Sequence, residues 1–185
     1  MVGLSQRFNL FIHGSTQRSE YLVLSFRPLR VNDFSLLLTW LSRKHVKQWW
    51  NDGDDTLEKV ALHYGTEEAD VARFILVQST ASGERPIGYF QYYIVSNEVI
   101  GIDQFIGEID CINQGIGTAA IQLFLKMIIP GHQPGQIIVD PHPENKRAIR
   151  CYEKVGFVYY ATERREKGES AYIMRLRNQD EGALA

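Results

Sequence analysis

Residues 113–129, NQGIGTAAIQLFLKMII, decide how this chain is read. Gly115 and Gly117 stand directly ahead of a run whose apolar residues recur at helical spacing. The segment before them, EVIGIDQFIG (residues 98–107), is β-branched and apolar in the manner of a strand. A strand therefore passes into a long helix through a glycine turn. Glycine lets the backbone approach a ligand closely, and the helix N-terminus adds partial positive charge, so the turn suits a pyrophosphate. A loop that only needs positive φ leaves the same trace, and Gly-x-Gly alone does not separate the two readings. The spacing does exclude two other phosphate cradles, since neither GxxxxGK[ST] nor GxGxxG is present.

Upstream, FNLFIH and YLVLSFRP flank the polar break GSTQRSE, which predicts a hairpin over Phe8 to Pro28. Asn32 or Asp33 can cap a helix running to about Arg43, with Phe34, Leu37, Leu38 and Leu41 at helical spacing. The short amphipathic piece HVKQWW, the polar loop NDGDD and a helix opened by Thr56 follow. ARFILVQS, PIGYFQYYIV and EVIGIDQFIG, joined by ASGER and SN, predict an antiparallel meander.

Downstream, the long helix gives way to the loop PGHQPG and the short strand QIIVD. PHPEN opens a helix, NKRAIRCYEKV, that stops at Gly156. FVYYATER and SAYIMRLR form a last pair around EKGE, and the tail NQDEGALA reads as disordered. The expectation is an α+β domain with a mixed sheet. It comprises an N-terminal extension (1–20), a single domain (21–177) and a flexible tail (178–185).

A chain of 185 residues has room for one core. A formal net charge of −2 offers no electrostatic argument for nucleic acid or an anionic membrane as partner, and favours a cationic small molecule. No apolar run reaches the length of a membrane span, and the N-terminus lacks a signal peptide's h-region, so a cytoplasmic protein is expected. Cys111 and Cys151 are the only cysteines and form no CxxC pair, which fits a reducing compartment. No histidine sits in a metal-ligand pattern, so no metal is expected.

Several residues carry two readings. Ala148, Tyr152 and Gly156 share a helix face; Tyr152 is either core or an acid able to protonate a departing thiolate. Asn145 is a helix cap or a hydrogen-bonding partner for a ligand amide. Asp103 lies in an apolar strand, where a lone carboxylate must face a wet cleft or be paired. Backbone N–H groups on the same strand can polarise a carbonyl. Asp52, Asp54, Asp55 and Glu58 follow two tryptophans; such a loop suits a polycation, but read alone it is a solvated acidic helix start.

The glycine turn with its helix, and the Asn145…Tyr152…Gly156-Phe157 segment, together resemble the GNAT acetyltransferases. WLSRKHVKQWW, PIGYFQYY, GIDQFIG, GIGTAAIQLF and DPHPENKRAIRCYEKVGF resemble the aminoglycoside 6′-N-acetyltransferases in order and spacing, from Trp40 to Phe157. Ile112 stands where that family usually has Arg or Gln, three residues before the first glycine. The resemblance implies a GNAT fold: a mixed, mostly antiparallel central sheet, splayed between EVIGIDQFIG and QIIVD and flanked by helices. Acetyl-CoA would lie in the gap.

It further implies Asp103 as base or amine-binding carboxylate and Tyr152 as acid. The CoA-binding set would be Ile106, Gly107, Gln114, Gly115, Ile116, Gly117, Thr118, Asn145 and Ala148. Trp49, Trp50, Gln91, Asp103, Gln104 and Asp140 would hold the amine. Acetyl transfer from acetyl-CoA to an aminoglycoside by a monomer or homodimer is the implied function. The alternatives are a GNAT acting on a siderophore hydroxylamine or lysine-type amine, a peptide acetyltransferase, and a non-catalytic acyl-CoA or drug-binding module. Siderophore enzymes typically carry His where this chain has Asp103.

Overall fold

The structure is a computed structural model, and it describes residues 8–10, 22–164 and 170–177. Eight strands form one sheet: β1 (Phe8–Leu10), β2 (Leu22–Pro28), β3 (Val71–Thr80), β4 (Gly83–Ile94), β5 (Val99–Ile106), β6 (Gln136–Val139), β7 (Phe157–Arg164) and β8 (Ser170–Leu176). Their order is β1-β2-β3-β4-β5-β6-β8-β7, and the parallel pair among the described residues is β5–β6. The fold is the expected mixed, mostly antiparallel sheet. The loops GSTQRSE and EKGE, the tail, and all of the extension except residues 8–10 lie outside the described residues.

Two helical layers cover the sheet. On one face lie α4 (Ile116–His132) and α5 (Lys146–Val155). On the other lie α1 (Phe34–Ser42), the single turn α2 (Lys44–Lys47) and α3 (Leu57–Gly65). Strand alternation divides the residues between them. Ile100 and Ile102 join the core under α4 and α5, with Phe90, Phe124 and Phe157. Tyr89 and Phe105, one position out of phase, join Trp40, Leu37 and Tyr64 under α1–α3.

Two local details depart from expectation. The long helix continues through Pro130 to His132 instead of stopping before PGHQPG. Proline removes one N–H, but Gln133 closes the helix in the left-handed conformation by donating to Ile129 O at 2.8 Å. Asp33 stands at the N-cap of α1 but makes no side-chain capping bond; its carboxylate accepts from Arg30 N at 2.9 Å and from the Arg27 guanidinium at 2.6 and 2.7 Å, closing the 3-10 turn ahead of the helix. Cys111 and Cys151 are free thiols. The Thr56 cap is present, its hydroxyl accepting from Lys59 N at 3.3 Å.

Candidate functional site

β5 and β6 begin as neighbours and then part. Their pairing runs Val99↔Gln136, Ile100↔Ile137 and Gly101↔Ile138, and ends there. Gly107 N–H donates to Ile87 O at 2.9 Å, and Val95 N–H to Val99 O at 2.9 Å. Alternation along an antiparallel ladder therefore turns the backbone groups of Asp103 and Phe105 toward β4. Those of Ile102, Gln104 and Ile106 point away from it, into the gap. The splay thus leaves a polar strand edge along one side of a cleft of about 620 Å³.

At one end of the cleft sits the glycine turn. Asn113 (φ 62°) and Gly115 (φ 79°) both adopt left-handed backbone, and Gly115 is the N-cap of α4. The first N–H groups of a helix have no intrahelical partner, and a glycine N-cap offers no side chain to satisfy them. The N–H groups of Ile116, Gly117 and Thr118 are therefore left together at the positive end of α4, an arrangement that suits an anion. The Ile116 side chain is buried in the core, and Gln114 turns its side chain back to Asp110 O, so these two offer only backbone. Gly117 faces α5, where a β-carbon would make an ordinary contact with Cys151 Sγ at 3.5 Å.

Gly107 does not belong to this cradle. Its N–H is engaged by Ile87, its carbonyl accepts from Arg43 Nη1 at 2.7 Å, and a β-carbon there would overlap the Trp40 ring. The glycine admits the indole, and its backbone is occupied by protein partners. Ile106 does line the cleft, with its carbonyl 3.2 Å from His45 Nε2.

Asp103 and Tyr152 face the same cleft from different elements. Asp103 is on the α1–α3 face of β5, opposite Gln91 in register, and accepts from Gln91 Nε2 at 3.2 Å. Gln91 in turn accepts from the Tyr89 hydroxyl at 2.6 Å, so the amide cannot swing. Tyr152 projects from α5 against Phe157. Burial, and then the nearby carboxylates of Asp103 and Asp140, raise its phenol well above the usual value, so it stays protonated at working pH.

Gln104, expected on the amine side, points to the opposite face from Asp103. Its Nε2 donates to Tyr152 Oη at 2.5 Å. Asn145 caps α5 by accepting from Ala148 N at 3.2 Å, and both residues line the cleft beside Asp140.

The adjacent tryptophans split their roles, as residues about 100° apart on a helical turn must. Trp50 packs edge-on to Phe105 (5.2 Å between centroids) and donates from Nε1 to the Tyr64 hydroxyl at 3.0 Å. Trp49 is about one-third exposed and tilts over His142 at 5.5 Å, spanning the mouth of the cleft. Of the acidic cluster, Asp52 reaches the cleft. Asp55 pairs with Lys59 on the exposed start of α3, while Asp54, its side chain largely buried, pairs with His63.

The cleft has two electrical ends. Asp52, Asp103 and Asp140 line it near the tryptophans, while Arg147, Arg150 and Lys154 line it along α5. Sequence reasoning missed those three cations. Their spacing of three and four residues on a helix is a signal that was present. His45, His63, Tyr93 and His142 also reach the cleft, and they share no motif. Among the described residues, no group of three or more His, Cys, Asp or Glu side chains is arranged to hold a metal, and no helix is long and apolar enough to cross a membrane.

A splayed β5–β6 edge meeting an uncapped α4 N-terminus is the geometry of an acyl-transfer fold, and comparison with known proteins agrees. The acetyltransferase (GNAT) domain model matches residues 30–164, so the chain belongs to that family. It is similar to the aminoglycoside N(6′)-acetyltransferase type 1 of Klebsiella pneumoniae, with 29% identity over 171 residues, 83% of each chain. A kanamycin resistance protein of Rhizobium radiobacter is 34% identical over 79 residues, covering 43% of this chain and 73% of that one. Among solved structures, the aminoglycoside acetyltransferase AAC(6′)-Ib in complex with coenzyme A and kanamycin superposes with a TM-score of 0.73 at 29% identity. That match covers 88% of this chain and 99% of the other.

Proposed function

We propose that this chain transfers the acetyl group of acetyl-CoA to the 6′-amine of an aminoglycoside by direct attack in a ternary complex, inactivating the antibiotic. The observation that carries the reading is the convergence of Asp103 and Tyr152 on one cleft, between an anion-binding helix end and an acidic, aromatic mouth. The relatives' names agree with it: they act on aminoglycosides, and the solved neighbour holds coenzyme A and kanamycin.

Acetyl-CoA supplies an acyl thioester. Its fit rests on the unpartnered N–H groups at the start of α4, set to meet phosphate oxygens, and on Arg147, Arg150 and Lys154 along α5. The outward-facing N–H groups of Gln104 and Ile106 can hold and polarise the thioester carbonyl. Trp49, Trp50, Asp52 and Asp140 hold the polycation, through ring faces and carboxylates.

Asp103, fixed by Gln91, binds the reacting ammonium and accepts its proton directly or through water, leaving a nitrogen lone pair. As the N–C bond forms and the C–S bond breaks, the nitrogen sheds its second proton to solvent, while Tyr152 Oη gives its own proton to sulfur and regains one from solvent. The raised phenol pKa keeps that proton available. The free cysteines play no part in this scheme.

The test is thiol release from acetyl-CoA with kanamycin, tobramycin, gentamicin, a lysine-type hydroxylamine and a short peptide. Saturable turnover on aminoglycosides bearing a free 6′-amine, with none on the peptide, is the expected result. Turnover confined to the hydroxylamine or peptide discards the substrate. Tight binding of acetyl-CoA and kanamycin without thiol release makes the chain a binding module.

A further inference from the structure

We infer that Gln104 is a positioning residue for the Tyr152 phenol and not an amine-binding subsite; this rests on the acetyl-transfer reading above. Two observations carry it. The first is geometric: side chains alternate along β5, so Gln104 leaves the face that carries Asp103 and Phe105 and enters the one occupied by α5. There its Nε2 donates to Tyr152 Oη. The second is an unmet acceptor. Gln104 Oε1 is buried without a hydrogen-bond partner.

A buried amide with one satisfied end is costly, and an aliphatic side chain of similar length would fill the space without that cost. The polar group is retained where stability alone would not retain it, which points to the phenol it contacts. Turning the amide over does not remove the cost, because the Tyr152 hydroxyl meets only one of its two ends. The orientation also matters for chemistry. A phenol that accepts from Nε2 keeps its own proton free for the departing sulfur. A phenol that donates to a carbonyl does not.

The donated hydrogen bond has a second consequence. It stabilises negative charge on Oη, opposing the burial and the Asp103 and Asp140 carboxylates that raise the phenol's pKa. Gln104 thereby makes a buried tyrosine a better acid without making it ionise at rest. Each proton transferred is then one the phenol can lose and recover.

The experiment is a double-mutant cycle of Gln104→Met and Tyr152→Phe, read by kcat, KM for both substrates, melting temperature and the Tyr152 13Cζ resonance. That resonance is assigned as the one missing in Tyr152→Phe. Gln104→Met is expected to lower kcat by about tenfold or more, as removing part of an acid catalyst does. The amine KM should stay within about twofold, and the melting temperature should be equal to or higher than that of the parent. In the Tyr152→Phe background it should lower kcat no further, because the residue it serves is gone. The Tyr152 13Cζ resonance should move in Gln104→Met.

Multiplicative losses in the cycle would overturn the inference, as would a raised amine KM with unchanged kcat, a lower melting temperature or an unmoved resonance. Wild-type protein that transfers no acetyl group to any amine would defeat the acetyl-transfer reading instead. The resonance and melting temperature would then still report whether Gln104 holds the phenol.

Discussion

The two faces of the sheet do different work with different materials. The α4–α5 face is built from contiguous sequence: a glycine turn, the helix it starts, and a second helix carrying Asn145, Ala148 and Tyr152. Its core is aliphatic and phenylalanine-rich, and the polar groups it offers the cleft at the glycine turn are backbone amides. The α1–α3 face gathers Trp40, Trp50, Tyr64, Tyr89 and Phe105 from five separate stretches, and most of these rings carry a polar tip. Those tips join into chains: Trp50 to Tyr64, and Tyr89 through Gln91 to Asp103. A cofactor common to a family is met by local backbone geometry, whereas a particular amine is met by side chains that only tertiary packing assembles.

The largest expected effect comes from Trp40, which is fully buried and donates from Nε1 to Glu108 at 2.8 Å. Trp40→Ala should cost about 3–5 kcal/mol by denaturant unfolding. If the two faces are separable, surviving folded protein should lose amine binding while retaining acetyl-CoA binding by calorimetry. Loss of both together would mean that the α1–α3 layer also holds the cofactor cleft open.

Next come the two residues that bridge the faces. Tyr152→Phe should lower kcat roughly 10²–10³-fold with acetyl-CoA affinity nearly unchanged. Asp103→Ala should lower kcat/KM for the amine by a similar order and leave acetyl-CoA binding intact. Unchanged turnover in Tyr152→Phe would remove the phenol from the chemistry. Full activity in Asp103→Ala would make that carboxylate structural.

A pH measurement sharpens the contrast. Glu108 accepts from Trp40 and pairs with Arg43 at 2.9 Å and Arg85 at 3.2 Å, tying α1 to the exit of β5. Burial alone would raise its pKa, but the Trp40 and Arg43 hydrogen bonds and both guanidinium charges outweigh that and hold it below the usual value. Asp33 is lowered likewise by Arg27 and Arg30 N–H against its own desolvation. Carboxyls depressed in the folded state stabilise it above their unfolded pKa of about 4 and lose that contribution as pH falls through the folded values. Both groups belong to the α1–α3 side. Hydrogen exchange measured while lowering pH below about 4 should therefore open α1 before α4. Glu108→Gln should cost about 1–2 kcal/mol at neutral pH and reduce that acid sensitivity. Simultaneous opening of both layers would erase the distinction.

The smallest effect is at the glycine turn. Gly115 has φ 79° and open space around it, so Gly115→Ala meets backbone strain alone and should cost about 1 kcal/mol. Acetyl-CoA affinity should weaken several-fold and the amine KM should not change. A changed amine KM would show that the turn also shapes the distal end of the cleft.

What was legible in advance follows the same division. The meander, the start of α4, the α5 boundaries and the Thr56 and Gly156 caps were readable, because each is a short-range pattern with a local physical cause. Pro130 misled, because a missing N–H weakens a helix without obliging it to stop there. Gly107 entered the expected cofactor set through the resemblance, and only the structure shows the indole of Trp40 packed against it. Among the acids, Asp103 stood out as a carboxylate in an apolar strand. Nothing local distinguished Asp52 from Asp54, of which only the first lines the cleft.

By itself, the order of residues determined the α+β architecture, the glycine-led helix, and the placement of Asp103 on a strand and Tyr152 on a helix. These depend on periodicity, capping and backbone freedom over a few neighbouring residues. Only the tertiary structure decided that Asp103 and Tyr152 face one cleft, that Gln104 donates to the phenol, and that Trp49 meets His142 across the mouth. Those contacts join segments 48 or more residues apart in Gln104–Tyr152 and further in the others. Side chains so distant in sequence are brought together by the splay of β5 from β6 and the burial of two cores, and no local preference encodes either.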